Sequence, residues 1–114
     1  MAFLDAFPLA AGHVLVIPKS HYARVQDMEG RDAQAVFALV HEVAGTAESA
    51  ADATASTIAI HNGKDAGQEV MHVHVHIIPR KPGDGAGPVH SMFRNRPQLS
   101  AQEMDALAEK MADQ

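Results

Sequence analysis

Cysteine is absent from these 114 residues, which excludes a disulfide framework, a thiol nucleophile and any zinc site built on thiolates. Aromatic residues amount to 4% while hydrophobic residues reach 46%, so the core has to be built mainly from Ala, Val, Ile, Leu and Met. Positive charge is not in excess either. The formal balance is −5, and without clustered Lys and Arg to neutralise phosphates the chain does not read as a nucleic-acid binder. No run of about 18 apolar residues is available to span a bilayer. The N-terminus also lacks a basic region followed by an apolar stretch, so no membrane partner and a cytoplasmic location are expected. A length of 114 suits one domain, residues 1–114, small enough to gain from self-association.

Histidine is what the chain has in quantity. His72, His74 and His76 occupy alternate positions in Met71-His-Val-His-Val-His-Ile-Ile-Pro79. Side chains alternate across a β-strand, so the three imidazoles share one face while Val73, Val75 and Ile77 point to the other. Imidazole ionises near pH 6.5, and such a row offers nucleophiles, proton carriers or metal ligands at neutral pH. A His-x-His pair can grip one ion, although catalytic zinc usually takes three protein ligands and a closed structural site four. A merely solvated polar row is the plain alternative. Three histidines in register, with β-branched partners and a glycine-bearing turn upstream, argue against it.

The rest of the pattern predicts an α+β fold with a mostly antiparallel sheet. Residues 1–7 form a short apolar run around Asp5, and residues 8–12 read as a turn before a β-branched strand at 13–17 that Pro18 closes. Val36, Val40, Val43 and Ala47, at three- and four-residue spacing, mark a central amphipathic helix over 32–50 whose stripe faces either the sheet or a second subunit. A strand at 57–60, a loop at 61–67 and the histidine strand at 70–78 follow. Residues 80–99 are loop-rich, and Ser100-Ala-Gln-Glu103 is a capping box opening a short C-terminal helix over 100–112. The loop His61-Asn-Gly-Lys-Asp-Ala-Gly-Gln68 places two glycines just ahead of the imidazoles, where exposed backbone N–H groups can hold phosphate oxygens. An ordinary Asn-Gly turn has the same local sequence.

Taken together, His72-Val-His-Val-His-Ile-Ile78 resembles the signature of the histidine triad family, His-φ-His-φ-His-φ-φ with φ apolar. Asn62-Gly-Lys-Asp-Ala-Gly-Gln-Glu-Val70 is similar to that family's loop ahead of the motif. Ala2-Phe-Leu-Asp-Ala-Phe7, with Gly12-His-Val-Leu-Val-Ile-Pro-Lys19 and His21, is similar to its nucleotide-facing strands. The resemblance implies a nucleotidyl hydrolase or transferase acting at the α-phosphate of a nucleotide phosphoramidate, an adenylate or a dinucleoside polyphosphate. His74 would be the nucleophile, forming a nucleotidyl-histidine that water then cleaves, which splits one hard displacement into two easier ones. His72 would orient His74 by hydrogen bonding, and His76 would stabilise charge on the phosphoryl oxygens. His13 matches a family histidine near this cluster. Asp5 matches a position that accepts hydrogen bonds from ribose hydroxyls, Phe3 would line the base pocket, and His61, Asn62, Gly67, Gln68 and Glu69 complete the implied substrate contacts. A purine nucleotide substrate and a homodimer are implied as partners.

Three departures from the family pattern matter. His61 stands where Asn or Gln is usual, and Glu69 stands where many relatives have Ser or Thr to donate to the leaving group. A carboxyl donates only when its pKa is raised, which leaves the leaving-group preference open. Relatives also reach the strand at Ala2 through a segment of helix and hairpin, so an N-terminally short domain is expected. In some relatives that segment brings a Cys-x-x-Cys pair that binds zinc with histidines at the positions of His21 and His72. With no cysteine here, neither a metal nor another cofactor is expected. The segment bearing Met92, Phe93 and Arg94 is expected to reach the active site. A nucleotide-binding module without turnover and a metal-dependent enzyme on the three histidines are the competing readings.

Overall fold

A computed structural model describes residues 1–113. Four strands, β1 (Ala2–Leu4), β2 (Val14–Val16), β3 (Ala55–Ala59) and β4 (Val75–Arg80), combine with two helices, α1 (Gly30–Ala50) and α2 (Ala101–Ala112). The strands form one sheet in the order β1-β2-β4-β3, and every neighbouring pair is antiparallel. This is the α+β arrangement that the alternation of patterns predicts.

Burial alternates without a break from His72 to Arg80: Val73, Val75, Ile77 and Pro79 are buried, and the residues between them are partly exposed. Val75 and Ile77 pack with Val14 and Val16 of β2 against Val36, Val40 and Ala47 of α1. Each fully buried Val or Ile contributes about 2 kcal/mol of apolar transfer free energy, and this core is wholly aliphatic. The α1 stripe therefore faces the chain's own sheet, and the histidine face is left open on the other side.

Helix α1 starts earlier than the spacing predicts, at Gly30. Asp32 lies in its first turn, where a carboxylate suits the positive helix end, and accepts the Tyr22 hydroxyl. The helix closes in a Schellman motif, with Asp52 N donating to Ser49 O at 3.2 Å and Ala53 N to Glu48 O at 2.8 Å. Asp52, at φ 54°, takes the left-handed position more often held by glycine.

The histidine strand differs from its expected 70–78 limits. Strand β2 opposes only Val75 to Ile77, so ladder pairing begins at Val75, and Val73 N donates instead to Tyr22 O at 2.8 Å. Beyond Ile77, β4 is paired on the β3 side alone, which lets Pro79 sit opposite Ser56 with no N–H to contribute. At the C-terminal helix, Ser100 Oγ accepts Glu103 N–H at 3.1 Å and its hydroxyl donates to the Glu103 carboxylate at 3.1 Å. Every described residue of α2 is exposed.

One glycine is required where the sheet meets the helix. Gly12 has φ +84°, and a Cβ there would lie 3.1 Å from Ala51 Cβ and 3.2 Å from Pro79 Cγ. The turn between β1 and β2 is thereby wedged against the end of α1 and against β4. Its neighbour His13 is carried into the interior, 1% exposed.

Candidate active site

Register brings the site together. Phe3 pairs with Leu15, Leu15 with His76, and His76 with Ala59, so one row on the open face crosses β1, β2, β4 and β3 in turn. Over the β1-β2 half lies a cavity of about 470 Å³ lined by Phe3, Asp5, Phe7, Leu15, Ile17, Glu69, Val70 and the imidazoles of His72, His74 and His76. The histidine row and the apolar residues before it thus share one pocket.

The chemistry of their partners assigns the tautomers. His74 Nδ1 lies 2.7 Å from the His72 carbonyl oxygen, which can only accept, so Nδ1 carries the proton and a neutral His74 keeps its lone pair on Nε2. The orienting contact expected of His72 is made by its backbone, because its imidazole turns elsewhere. His72 Nε2 donates to Pro18 O at 3.3 Å, and its Nδ1 accepts from His21 Nδ1 at 2.9 Å. Two imidazole nitrogens fall short of the four donors of a closed zinc site.

A second chain of hydrogen bonds runs through the interior. Leu9 N donates to His13 Nδ1 at 3.1 Å, which places the His13 proton on Nε2. That nitrogen donates in turn to His76 Nδ1 at 2.9 Å and lies 3.7 Å from Asp5 Oδ2. His76 is left with its proton on Nε2, as a donor. Asp5 uses its other oxygen to accept Phe7 N at 2.9 Å. Among the described residues, Asp5, His13 and His76 are the group whose potential ligand atoms converge within 4.8 Å; the row His72, His74, His76 does not close around one point.

Burial pushes His76 down to about 4, reinforced by His74, His13 and His61 and opposed by Asp5. Burial also lowers His13, against the attraction of Asp5. A folded chain that binds a proton less readily than the unfolded chain loses stability as that proton is forced on. The His76 contribution is therefore fully present above about pH 6.5 and is lost as pH falls towards about 4, with a slope of at most about 1.4 kcal/mol per pH unit. Urea midpoints measured from pH 7 to pH 4 are expected to fall more steeply for the wild type than for His76→Gln.

The loop ahead of the triad is built from its own side chains. Gln68, only 4% exposed, accepts Gly63 N at 2.8 Å and donates to Ala23 O and Val70 O at 2.7 and 3.1 Å. Asn62 accepts Val25 N at 2.9 Å and donates to Gln26 Oε1 at 3.0 Å. Both amides are engaged within the protein, fixing the loop to residues 23–26. Gly63 and Gly67 hold φ +105° and +98°, on either side of a single helical turn, Lys64–Ala66. The His61 ring lies beside that of His76 with centroids 5.6 Å apart and planes tilted by 52°.

A profile of the HIT domain matches residues 1–83. The chain belongs to the HIT domain family. Among curated HIT relatives, the bis(5'-nucleosyl)-tetraphosphatase [asymmetrical] of Schizosaccharomyces pombe is 46% identical over 83 residues, covering 73% of this chain and 46% of that protein. The bis(5'-adenosyl)-triphosphatase of Dictyostelium discoideum is 39% identical over 83 residues, covering 73% and 56%. The chain thus spans about half the length of these relatives. Among solved structures, a member of the HIT family from Bacillus subtilis superposes with a TM-score of 0.84 at 31% identity, over 99% of this chain and 79% of that one.

Some contributors had no sequence signal. The Leu9 amide that sets the His13 tautomer is visible only once the turn is folded, as is Arg24 against Gly63. Met92 and Phe93 line a second cleft with His61, whereas no residue of the 89–94 segment lines the cavity that holds the triad, and Arg94 lines neither.

Proposed function

We propose that this HIT protein hydrolyses dinucleoside polyphosphates at the α-phosphate through a nucleotidyl-histidine on His74. The observation that carries this is the His74 tautomer: Nδ1–H is held by the His72 carbonyl, and Nε2 is the free lone pair at the edge of the nucleotide-sized cavity. The names of the relatives, which specify dinucleoside polyphosphates as their substrates, support the substrate class.

In the first step His74 Nε2 attacks the α-phosphorus and the bond from phosphorus to the bridging oxygen breaks. The electron pair leaves with the departing nucleoside oligophosphate, which takes a proton as it is released. In the second step water attacks the same phosphorus, the P–N bond breaks back to His74, and the proton from water goes to solvent. His76, donating from Nε2 under the control of His13, stabilises the charge on the phosphoryl oxygens. Asp5 and Phe3 hold ribose and base, while Asn62, Gly67 and Gln68 act by shaping the loop whose amides face phosphate. Glu69, on the pocket wall, and His61, beside His76, are its remaining polar contacts.

The same chemistry serves phosphoramidates and adenylates, and a purine is the base we propose. We also propose a homodimer, for which edge strand β3 with exposed Ile58 and the outward Phe37 of α1 offer apolar surface. No helix among the described residues is long and apolar enough to cross a membrane. Incubation with diadenosine tetraphosphate or adenosine 5'-phosphoramidate in the presence of chelator is expected to release AMP, quantified chromatographically. Binding without release would favour a non-catalytic module, and release abolished by the chelator would favour a metal-dependent enzyme.

A further inference from the structure

Of the two asparagines in the chain, Asn62 and Asn95, only Asn62 is followed by glycine. A main-chain nitrogen that follows asparagine can attack the side-chain carbonyl carbon, and glycine places no side chain in the way. Both halves of the pair are fixed by the fold. Gly63 holds φ +105°, in the region that favours glycine, and a Cβ there would lie 3.2 Å from Arg24 Cζ. Asn62 ties the loop to the 23–26 segment through Val25 N and Gln26 Oε1. Exchanging either residue would loosen the loop ahead of the triad, so the reactive pair comes with the architecture.

The bonds that build this loop also restrain the reacting groups. Ring closure requires the Asn62–Gly63 peptide unit to swing onto its own side chain, and that unit is gripped at both ends. Its nitrogen, the attacking atom, donates to Gln68 Oε1 at 2.8 Å, and its oxygen accepts from Arg24 Nη2 at 3.4 Å. Gly63 O accepts Ala66 N and Gln68 N, each at 3.1 Å. The carbon under attack belongs to an amide engaged through both its oxygen and its nitrogen, at 2.9 and 3.0 Å. Gln68 is itself set by three partners, Gly63 N on its oxygen and Ala23 O and Val70 O on its nitrogen. Opening one such bond lowers the reactive population by about three- to tenfold.

We infer that Asn62-Gly63 is a deamidation site guarded by Gln68 and by the 23–26 segment. In the reaction Gly63 N gives up its proton and bonds to Asn62 Cγ, the bond from Cγ to Nδ2 breaks, and that nitrogen leaves with the proton as ammonia. Water then opens the cyclic imide at either carbonyl, giving aspartate or, with one more methylene in the main chain, isoaspartate. Either product puts a carboxylate where Gln26 Oε1 now meets a donor. Isoaspartate also shifts Gly63 from Gln68. Because Val70 O accepts both Gln68 Nε2 and His72 N, at 3.1 and 2.8 Å, the change reaches the start of the histidine row.

The test is incubation of the wild type, Gln68→Met and Gln26→Ala in mildly alkaline buffer, with and without guanidinium chloride. Peptide mass spectrometry reads the fraction of Asn62 converted, and enzymatic methylation of isoaspartate identifies the product. Asn95, exposed and followed by Arg96, is the internal reference and should keep one rate in all three folded proteins. We expect Asn62 in the native wild type to convert at least about tenfold more slowly than in the unfolded chain, and Gln68→Met to speed native conversion about tenfold. Gln26→Ala, at an exposed position, is expected to speed it about threefold without disturbing the fold. The converted fraction, isolated by ion exchange, should melt about 4 °C lower. A native wild type that converts as fast as the unfolded chain would overturn the guard, as would two folded variants no faster than the wild type. Absence of conversion at Asn62 in guanidinium chloride would overturn the site itself. None of these readouts involves a nucleotide, so they stand or fall apart from the proposed catalysis.

Discussion

Replacing His74 by Asn is expected to lower kcat for a dinucleoside polyphosphate by about 10⁴-fold or more, the scale on which enzymes lose activity with their nucleophile. Asn is the informative substitution because its amide N–H can still donate to the His72 carbonyl that now holds His74 Nδ1 at 2.7 Å. The local hydrogen bond survives and only Nε2, the nitrogen proposed as nucleophile, is removed. Nucleotide affinity should therefore change little, since Phe3, Asp5 and Leu15 line the cavity independently of His74. Two measurements check this. Steady-state kinetics should show the collapse in kcat, and alkaline quench with intact-protein mass spectrometry should find a nucleotidyl adduct on the wild type and none on the variant. A variant retaining more than about 1% of activity would mean that water attacks phosphorus directly, leaving His74 a binding group.

Legibility from sequence varied with the range of the interaction concerned. The period-two alternation from His72 to Ile78 was enough to separate an imidazole face from an aliphatic one, because side-chain direction along an extended chain is local geometry. The α1 stripe was equally legible, although only packing shows that Val36, Val40 and Ala47 meet the chain's own sheet. Strand ends were not legible. β4 starts at Val75 because β2 is short, a property of a neighbour, Val16, that lies 59 residues back in the chain. The roles of Gln68 and Asn62 escaped the motif for a similar reason: an amide side chain in a loop expected to hold phosphate looks like a ligand contact until its partners at residues 23–26 are known. The His72 carbonyl, rather than its imidazole, orients His74, and no pattern of residue types announces a backbone acceptor.

His13→Leu is expected to lower kcat by about 10² to 10³-fold, as loss of one preorganised donor to a transition-state oxyanion does, although His13 does not line the cavity. The reasoning follows protons. Leu9 N–H forces the His13 proton onto Nε2, His13 Nε2–H forces the His76 proton onto its own Nε2, and the donor proposed to meet phosphate is thereby fixed in advance. With His13 gone, His76 is free to carry its proton on Nδ1 and to turn, so the donor has to be reorganised at each turnover. Stability should fall as well, by about 2 kcal/mol, because the Leu9 amide loses its acceptor in a part-buried setting. His13→Gln separates the two effects, since a glutamine amide can accept from Leu9 through its oxygen and donate to His76 through its nitrogen. Rescue of kcat by Gln, with the Nδ1/Nε2 tautomer of His76 read from its ¹⁵N shifts in all three proteins, would identify His13 as a positioning residue. If Leu and Gln variants lose stability but keep the wild-type kcat and the wild-type His76 tautomer, the chain from Leu9 to His76 is structural and His76 sets its own proton.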